Sequence, residues 1–336
     1  MSRPTVLVGF GKIAAGLADN RAMNRVFRCA VHAQALQSHP GYDWCAVVDP
    51  DPAARRLATE RWRIPVVVDR IEALPEPAFY RVAVLTSPPA TRPAILAALP
   101  ALEGIMAEKP LGIADGEAEA FAAMCDSRGL TVQVNFWRRG DAGIRALAGS
   151  KLSELVGPIQ AAFGTYGNGL MNNGSHLVDL ARMLLGEVRE ARSTGAWRPL
   201  PDAPIPGDGA LPFTLTFETG ATLAAAPIDF RNYREMSLDL WGERGRIELL
   251  NSGVSIFHHP LGPCRTLDGD LEVDPDRRQP LPSGAYEALY ALYDDLVSAL
   301  DQGRLLLSSA RSASRTDQVI RAARKSAADG CPTALS

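Results

Sequence analysis

Lys109 stands between Glu108 and Pro110, immediately after the apolar tetrapeptide Gly104–Ala107. If that tetrapeptide is a buried strand, the lysine sits at its carboxyl end, the edge at which open α/β sheets place their ligands. An ammonium there stabilises an alkoxide or polarises a carbonyl. The alternative is a turn with a solvated charge. His176 closes the run Asn172-Asn173-Gly174-Ser175-His176, within a helical pattern over Gly174–Leu185. Imidazole exchanges protons near neutral pH, which suits a base for a hydroxyl, although a single helical histidine also serves as a structural residue. Asp179, almost one turn on, is placed to orient that imidazole, to form an ion pair or to face solvent as a surface residue. Arg138 and Arg139 follow the apolar run Thr131–Phe136. One can clamp an anionic substrate while the other faces solvent, and the sequence does not choose between them. His258 and His259 lack a carboxylate or cysteine at ligand spacing, so no metal site is expected.

A phosphate-binding pattern lies near the N-terminus. Gly9-Phe10-Gly11-Lys12-Ile13-Ala14 follows an apolar strand pattern at once, matching G-x-G-x-x-G/A in its informative context. Gly9 would make the tight turn, Gly11 would let backbone approach a pyrophosphate, and Ala14 would allow close helix–sheet packing. Lys12 and Ile13 would open the helix whose N-terminus meets the anion. Asp49 ends the second strand pattern, where a carboxylate accepts from both ribose hydroxyls and repels a 2′-phosphate. In Asp49-Pro50-Asp51-Pro52, Asp51 is the better helix cap because Pro52 suits the first helical position. Asp49 is then available, and NAD is expected ahead of NADP. The interval to Asp49 is longer than the roughly 20 residues of the usual fingerprint. The extra residues, Leu17–Val31, carry Arg21, Arg25 and Arg28, which read either as solvated charges or as ligands for a substrate phosphate.

Elements able to position these groups are visible in the apolar pattern. Short apolar runs at Thr5–Val8, Trp44–Val48, Val66–Val68, Val82–Thr86, Gly104–Ala107 and Thr131–Phe136 alternate with helical patterns, which implies a doubly wound parallel sheet. Longer alternating strands follow at Ile159–Tyr166, Phe213–Glu218, Ala221–Phe230, Met236–Trp241, Arg246–Leu250 and Val254–His258, the mark of an antiparallel sheet with one buried face. The fold class is therefore α/β: a Rossmann domain over 1–136, then an α+β domain over 137–336 with an open, mainly antiparallel sheet. The second domain would close with helices over 286–300 and 314–328. The stretch Pro199–Pro212 reads as a surface loop.

With 336 residues, a formal charge of −3 and interspersed signs, the chain lacks the clustered basic surface that nucleic acid requires. No secretion signal or membrane span is expected. Five scattered cysteines without C-x-x-C pairs suit a reducing cytoplasm.

Taken in order, the glycine fingerprint, Glu108-Lys109-Pro110, Val134–Arg139, Gly174–Leu180 and Ala322–Ala327 resemble the glucose–fructose oxidoreductase / inositol dehydrogenase / MocA-type family, while Ser87-Pro88-Pro89-Ala90-Thr91-Arg92 departs from it at Arg92. The resemblance implies catalytic roles for Lys109 and for His176, the histidine of a D-x-G-x-H motif that begins here with Asn172. It also implies cofactor contacts at Ser87, Pro88, Glu108 and Lys109, and substrate contacts at Asn172, Arg138, Arg139 and Arg92, the last replacing a more usual histidine. The expected reaction is NAD-dependent oxidation of a secondary alcohol on a sugar or sugar derivative. A nucleotide-activated, phosphorylated or carboxylated sugar is preferred, since Asn172 resembles the motif of members that act on nucleotide sugars. A homo-oligomer, dimer or tetramer, is expected through the open sheet. The alternatives are a non-catalytic dinucleotide- or sugar-sensing regulator of the same fold, or a dehydrogenase of a polyol or dihydrodiol.

Overall fold

The structure, a computed structural model, describes residues 2–335, so the end residues 1 and 336 of the two expected domains lie outside it. It divides into two units, Met1–Gly140 with Tyr286–Ser314, and Asp141–Ala285 with Arg315–Ser336.

In the first unit, β1 (Arg3–Val8), β2 (Tyr42–Val48), β3 (Val66–Val68), β4 (Val82–Leu85), β5 (Gly104–Ala107) and β6 (Thr131–Val134) form a parallel sheet in the order β3-β2-β1-β4-β5-β6. Successive strand residues point to opposite faces. Val6, Val8, Ala83 and Leu85 therefore enter one core, and Leu7, Val82 and Val84 enter the other. Both faces are buried, which explains why these strands read as continuous apolar runs.

The second face is covered in part by helix Ala288–Gln302, through Leu289, Leu292, Tyr293 and Leu296. Burial of each leucine contributes about 1.5–3 kcal/mol, enough to fix the helix there. Gln133 of β6 adds polar ties, donating to the Leu292 carbonyl at 3.3 Å and to Asp295 Oδ2 at 2.8 Å. The sequence reading assigned this helix to 137–336; its packing is with the parallel sheet.

The second unit holds a ten-stranded sheet. Most neighbours are antiparallel, but Ile159–Tyr166 runs parallel to Thr222–Pro227. Phe213, Leu215 and Phe217 are buried while Thr214 and Thr216 are half-buried, as strict alternation requires. Helix Ser175–Leu185 and residues Val319, Ile320, Ala322 and Ala323 complete the core. Strand Val188–Ser193 was not expected, because only Val188 and Ala191 of its six residues are buried apolar groups.

Candidate functional site

The carboxyl end of the parallel sheet gathers most of the residues expected to hold the cofactor. Gly9 has φ +88°, and a Cβ there would lie 2.7 Å from the Ser87 nitrogen, so both backbone conformation and close approach require glycine. Gly11 has φ −79° and a Cβ there would meet no protein atom within 4 Å. Neither strain nor packing explains it, whereas approach of a pyrophosphate does. The first hydrogen bond of the following turn runs from Ala15 N–H to the Gly11 carbonyl, at 3.0 Å. The N–H groups of Lys12, Ile13 and Ala14 precede it at the turn's opening. Lys12 is exposed, Ile13 half-buried and Ala14 fully buried.

That turn departs from expectation. It is a five-residue π-helical segment, Lys12–Gly16, rather than the opening of an α-helix. The residues after it include a short helix, Arg21–Val26, capped by Asn20, before helix His32–Ser38 completes the crossover to β2. Phe27 packs edge-on against Trp137 with centroids 5.3 Å apart, and Arg28 pairs with Glu287 at 2.9 Å and lies over Tyr290. Arg28 is thus engaged within the first unit, while Arg21 and Arg25 are exposed.

Asp51 does cap the next helix, accepting from Ala53 N–H at 2.9 Å with Pro52 behind it. Asp49 is buried, and its carboxylate accepts from the Phe10 and Asp51 N–H groups. It therefore braces the glycine turn itself, and a carboxylate with about four acceptor positions retains capacity for ribose hydroxyls. Ser87 is half-buried, with Oγ 2.8 Å from Thr91 Oγ1, and Pro88 is exposed beside it. The glycine turn, the Asp49 carboxylate and the Ser87-Pro88 edge together suit a dinucleotide.

Glu108-Lys109-Pro110 follows β5, with a cis Lys109–Pro110 peptide and a half-buried Lys109. Arg92 explains how the loop is held. The residue is 1% exposed, and its guanidinium donates to the carbonyls of Leu111 at 2.6 Å, Glu108 at 2.7 Å and Pro110 at 3.2 Å. The sequence reading put Arg92 on the substrate. Its fork instead secures the main chain on both sides of Lys109, because buried carbonyls need donors. Glu108 was expected on the cofactor; its carboxylate turns into the protein, accepting from Asn135 at 2.6 Å and bonding His32 Nε2 at 2.8 Å. Burial pushes the Glu108 pKa up, but His32, Lys109 and Asn135 together outweigh it and hold the carboxyl below its ordinary range. Arg138 is 3% exposed and stacks on Trp137 at 4.4 Å, whereas Arg139 is half-buried. Both belong to the first unit.

His176 and Asn172 belong to the second unit. A short π-helical turn, Leu170–Gly174, feeds helix Ser175–Leu185, and His176 is half-buried in its first turn. A Cβ at Gly174 would lie 2.9 Å from Leu170 and 3.2 Å from the Tyr166 ring, which is why this motif position is glycine. The Asn172 amide donates to the Asn168 carbonyl at 3.1 Å. Asp179 lies in a buried cluster: Thr316 donates to it at 3.1 Å, and Arg182 stands 3.7 Å away while also forking onto Glu187. Its ion-pair reading is realised in the structure.

Sequence reasoning missed Asp208. Its carboxylate accepts from the N–H groups of Met171 and Asn172, each at 3.0 Å, and of Gly209 at 2.7 Å, and so fastens the turn that leads to His176. A Cβ on Gly169 would fall on this carboxylate. The expected surface loop Pro199–Pro212 thus ends in buried structure: Asp208 is 1% exposed and Leu211 fully buried, bonded to the Tyr166 hydroxyl in both directions. The loop's Pro/Gly content signalled solvent, and nothing in its sequence set Asp208 apart from the exposed Asp202. Burial raises the Asp208 pKa, and its backbone donors offset that only in part.

Two family patterns match the chain, the GFO_IDH_MocA oxidoreductase family's NAD-binding Rossmann fold over residues 5–136 and its C-terminal alpha/beta domain over 164–335. Among solved structures, the chain resembles an oxidoreductase from Agrobacterium radiobacter in complex with NAD+, L-tartaric acid and magnesium, at 18% identity and a TM-score of 0.75, covering 99% of this chain and 98% of that one. It also resembles the WlbA dehydrogenase from Bordetella pertussis in complex with NADH and UDP-GlcNAcA, at 17% identity and a TM-score of 0.73, covering 100% of this chain and 99% of that one. An NAD binding oxidoreductase from Klebsiella pneumoniae matches at 16% identity and a TM-score of 0.74, with 100% of both chains covered. A comparison with curated protein sequences finds no match.

Proposed function

The chain belongs to the GFO_IDH_MocA family of NAD-binding oxidoreductases, and we propose that it oxidises a secondary alcohol of a sugar derivative carrying an anionic group, such as a nucleotide sugar, or reduces the matching ketone. The observation that carries this reading is Lys109 at the carboxyl end of β5, on a loop whose main chain is secured by Arg92. Bound NAD supplies the hydride acceptor at its nicotinamide. Gly9, Gly11, Lys12 and Ile13 cradle its pyrophosphate, Asp49 accepts from its ribose, and Ser87 and Pro88 line its edge. Acceptance by Asp49 favours NAD over NADP.

His176 takes the hydroxyl proton, and the Lys109 ammonium stabilises the alkoxide as charge develops on oxygen. Asn172 presents an amide to a substrate hydroxyl, and Arg138 or Arg139 meets the anionic group. The exposed Arg21 and Arg25 support a phosphorylated substrate, as does a fold shared with a dehydrogenase solved with UDP-GlcNAcA. Arg92 and Arg28 lend no such support, since their guanidinium groups face protein partners. The open sheet of the second unit supports a homo-oligomer, and five free thiols support a reducing cytoplasm.

The test incubates purified protein and NAD with free sugars, sugar phosphates and nucleotide sugars while nicotinamide absorbance is followed. Turnover of a nucleotide sugar, with a higher specificity constant than for its free sugar, is expected. A better free sugar would reject the anionic assignment, and no turnover with any class would reject the sugar assignment.

A further inference from the structure

Two side chains distant in sequence converge on one oxygen of Glu108, and a third backs one of them. Asn135, just past β6, donates its side-chain amide to Oε1. His32, which opens the helix after the Leu17–Val31 segment, meets the same oxygen through Nε2. On its other side, His32 Nδ1 lies 2.6 Å from the Tyr293 hydroxyl of helix Ala288–Gln302. His32 is fully buried, so a merely space-filling role would be met by an apolar side chain at lower desolvation cost. Tyr293 is also fully buried, and burial above all raises its pKa well above the usual phenol value. Its protonated hydroxyl donates to Nδ1 in the tautomer that carries the ring hydrogen on Nε2. That hydrogen points at the carboxylate. Meanwhile Arg92 grips the carbonyls on either side of Lys109, so main chain and carboxylate are fixed independently.

We propose that His32, oriented by Tyr293, is a positioning residue of the reaction: with Asn135 it immobilises the Glu108 carboxylate beside Lys109 and thereby sets where the ammonium charge stands during turnover. This rests on the role given to Lys109 above. The titratable and charged groups around the relay are Lys109, Arg92, Tyr293, Cys29 and, behind Tyr293, Tyr42, whose hydroxyl donates to the Tyr293 carbonyl at 2.7 Å.

The test compares His32→Leu, His32→Asn and His32→Gln, since a glutamine amide reaches the place of Nε2 and an asparagine amide only that of Nδ1. Loss of a hydrogen bond to a charged group should lower kcat about tenfold in the Leu and Asn variants. KM for NAD should stay within a few-fold, and Gln should restore most of the rate. Carbon-13 NMR of glutamate-labelled protein, assigned with Glu108→Gln, should show Glu108 titrating at higher pH in His32→Leu. Tyr293→Phe should move kcat and the titration the same way by less, and it decides the matter if His32→Leu does not fold. An unchanged kcat and Glu108 titration across the series would overturn the inference. Near-normal activity of Lys109→Ala would instead reject the role of Lys109, while the Glu108 titration would still report the relay.

Discussion

Two buried carboxylates support the two candidate reacting groups, and the protein treats them differently. Glu108, beside Lys109, is met by side-chain donors and a neighbouring cation, and its pKa ends below the ordinary value. Asp208, beneath the turn leading to His176, is met by backbone N–H groups, and its pKa ends above the ordinary value. Both lose water, so the difference lies in what replaces it. Charge and side-chain donors together overcome desolvation in the first unit, whereas neutral amides overcome it only partly in the second. Glu108 is therefore suited to remain a fixed charge, and Asp208 to act as a knot in the main chain.

The largest effects should come from the groups those carboxylates support. Lys109→Ala and His176→Ala should each lower kcat by about 10²–10⁴-fold, with NAD affinity, measured by fluorescence titration, within a few-fold of wild type. A variant with near-normal kcat would remove its residue from the reaction.

Asp208→Ala should sharpen the contrast. It leaves the Met171 and Asn172 N–H groups without their acceptor, costing about 1–3 kcal/mol in urea unfolding. It should also lower kcat/KM by loosening the turn before His176. Unchanged kcat/KM with lowered stability would make Asp208 a support of the fold alone.

The smallest effect is one of acid stability. A carboxyl held below its ordinary pKa contributes stability that is present above the unfolded value, 4.5 for Glu108, and lost as pH falls through the folded value. Asp208, raised above 3.8, has the opposite sign, and its contribution improves as pH falls through its folded pKa. Glu108→Gln should therefore lose less stability than wild type between about pH 5 and 3 in urea titrations, and Asp208→Asn should lose more. Parallel losses in both variants would erase the distinction.

Much of the architecture was readable because its physics is local. The limits of β3 and β5 follow directly from buried apolar runs, and the Phe213–Phe217 alternation gave the second sheet its buried face. Asp51 as cap and the match at Gly9-Phe10-Gly11 rest on equally short-range rules. Features that depend on distant partners were not readable. His32 and Tyr293 are 261 positions apart, and neither carries a neighbouring motif. Asp208 lay in a stretch whose prolines and glycines signalled solvent. Arg92 looked like a ligand-binding cation because a sequence shows a charge but not the three carbonyls that meet it. How far the helix after Gly11 runs was not readable, because the fingerprint specifies how a helix begins and not how soon it stops.

The return of Tyr286–Ser314 to the first unit bears on how the protein is made. A ribosome delivers all six parallel strands within the first 134 residues, yet the helix that closes one face of that sheet emerges only after Asp141–Ala285. Throughout that interval Leu7, Val47 and Val84 await Leu292 and Leu296, and His32 awaits Tyr293. A nascent chain stalled near residue 285 would thus carry a partly uncovered apolar sheet face, a natural target for chaperones. A single cut at residue 140 would likewise split the first unit between two fragments, while the second unit would lie wholly in the C-terminal one.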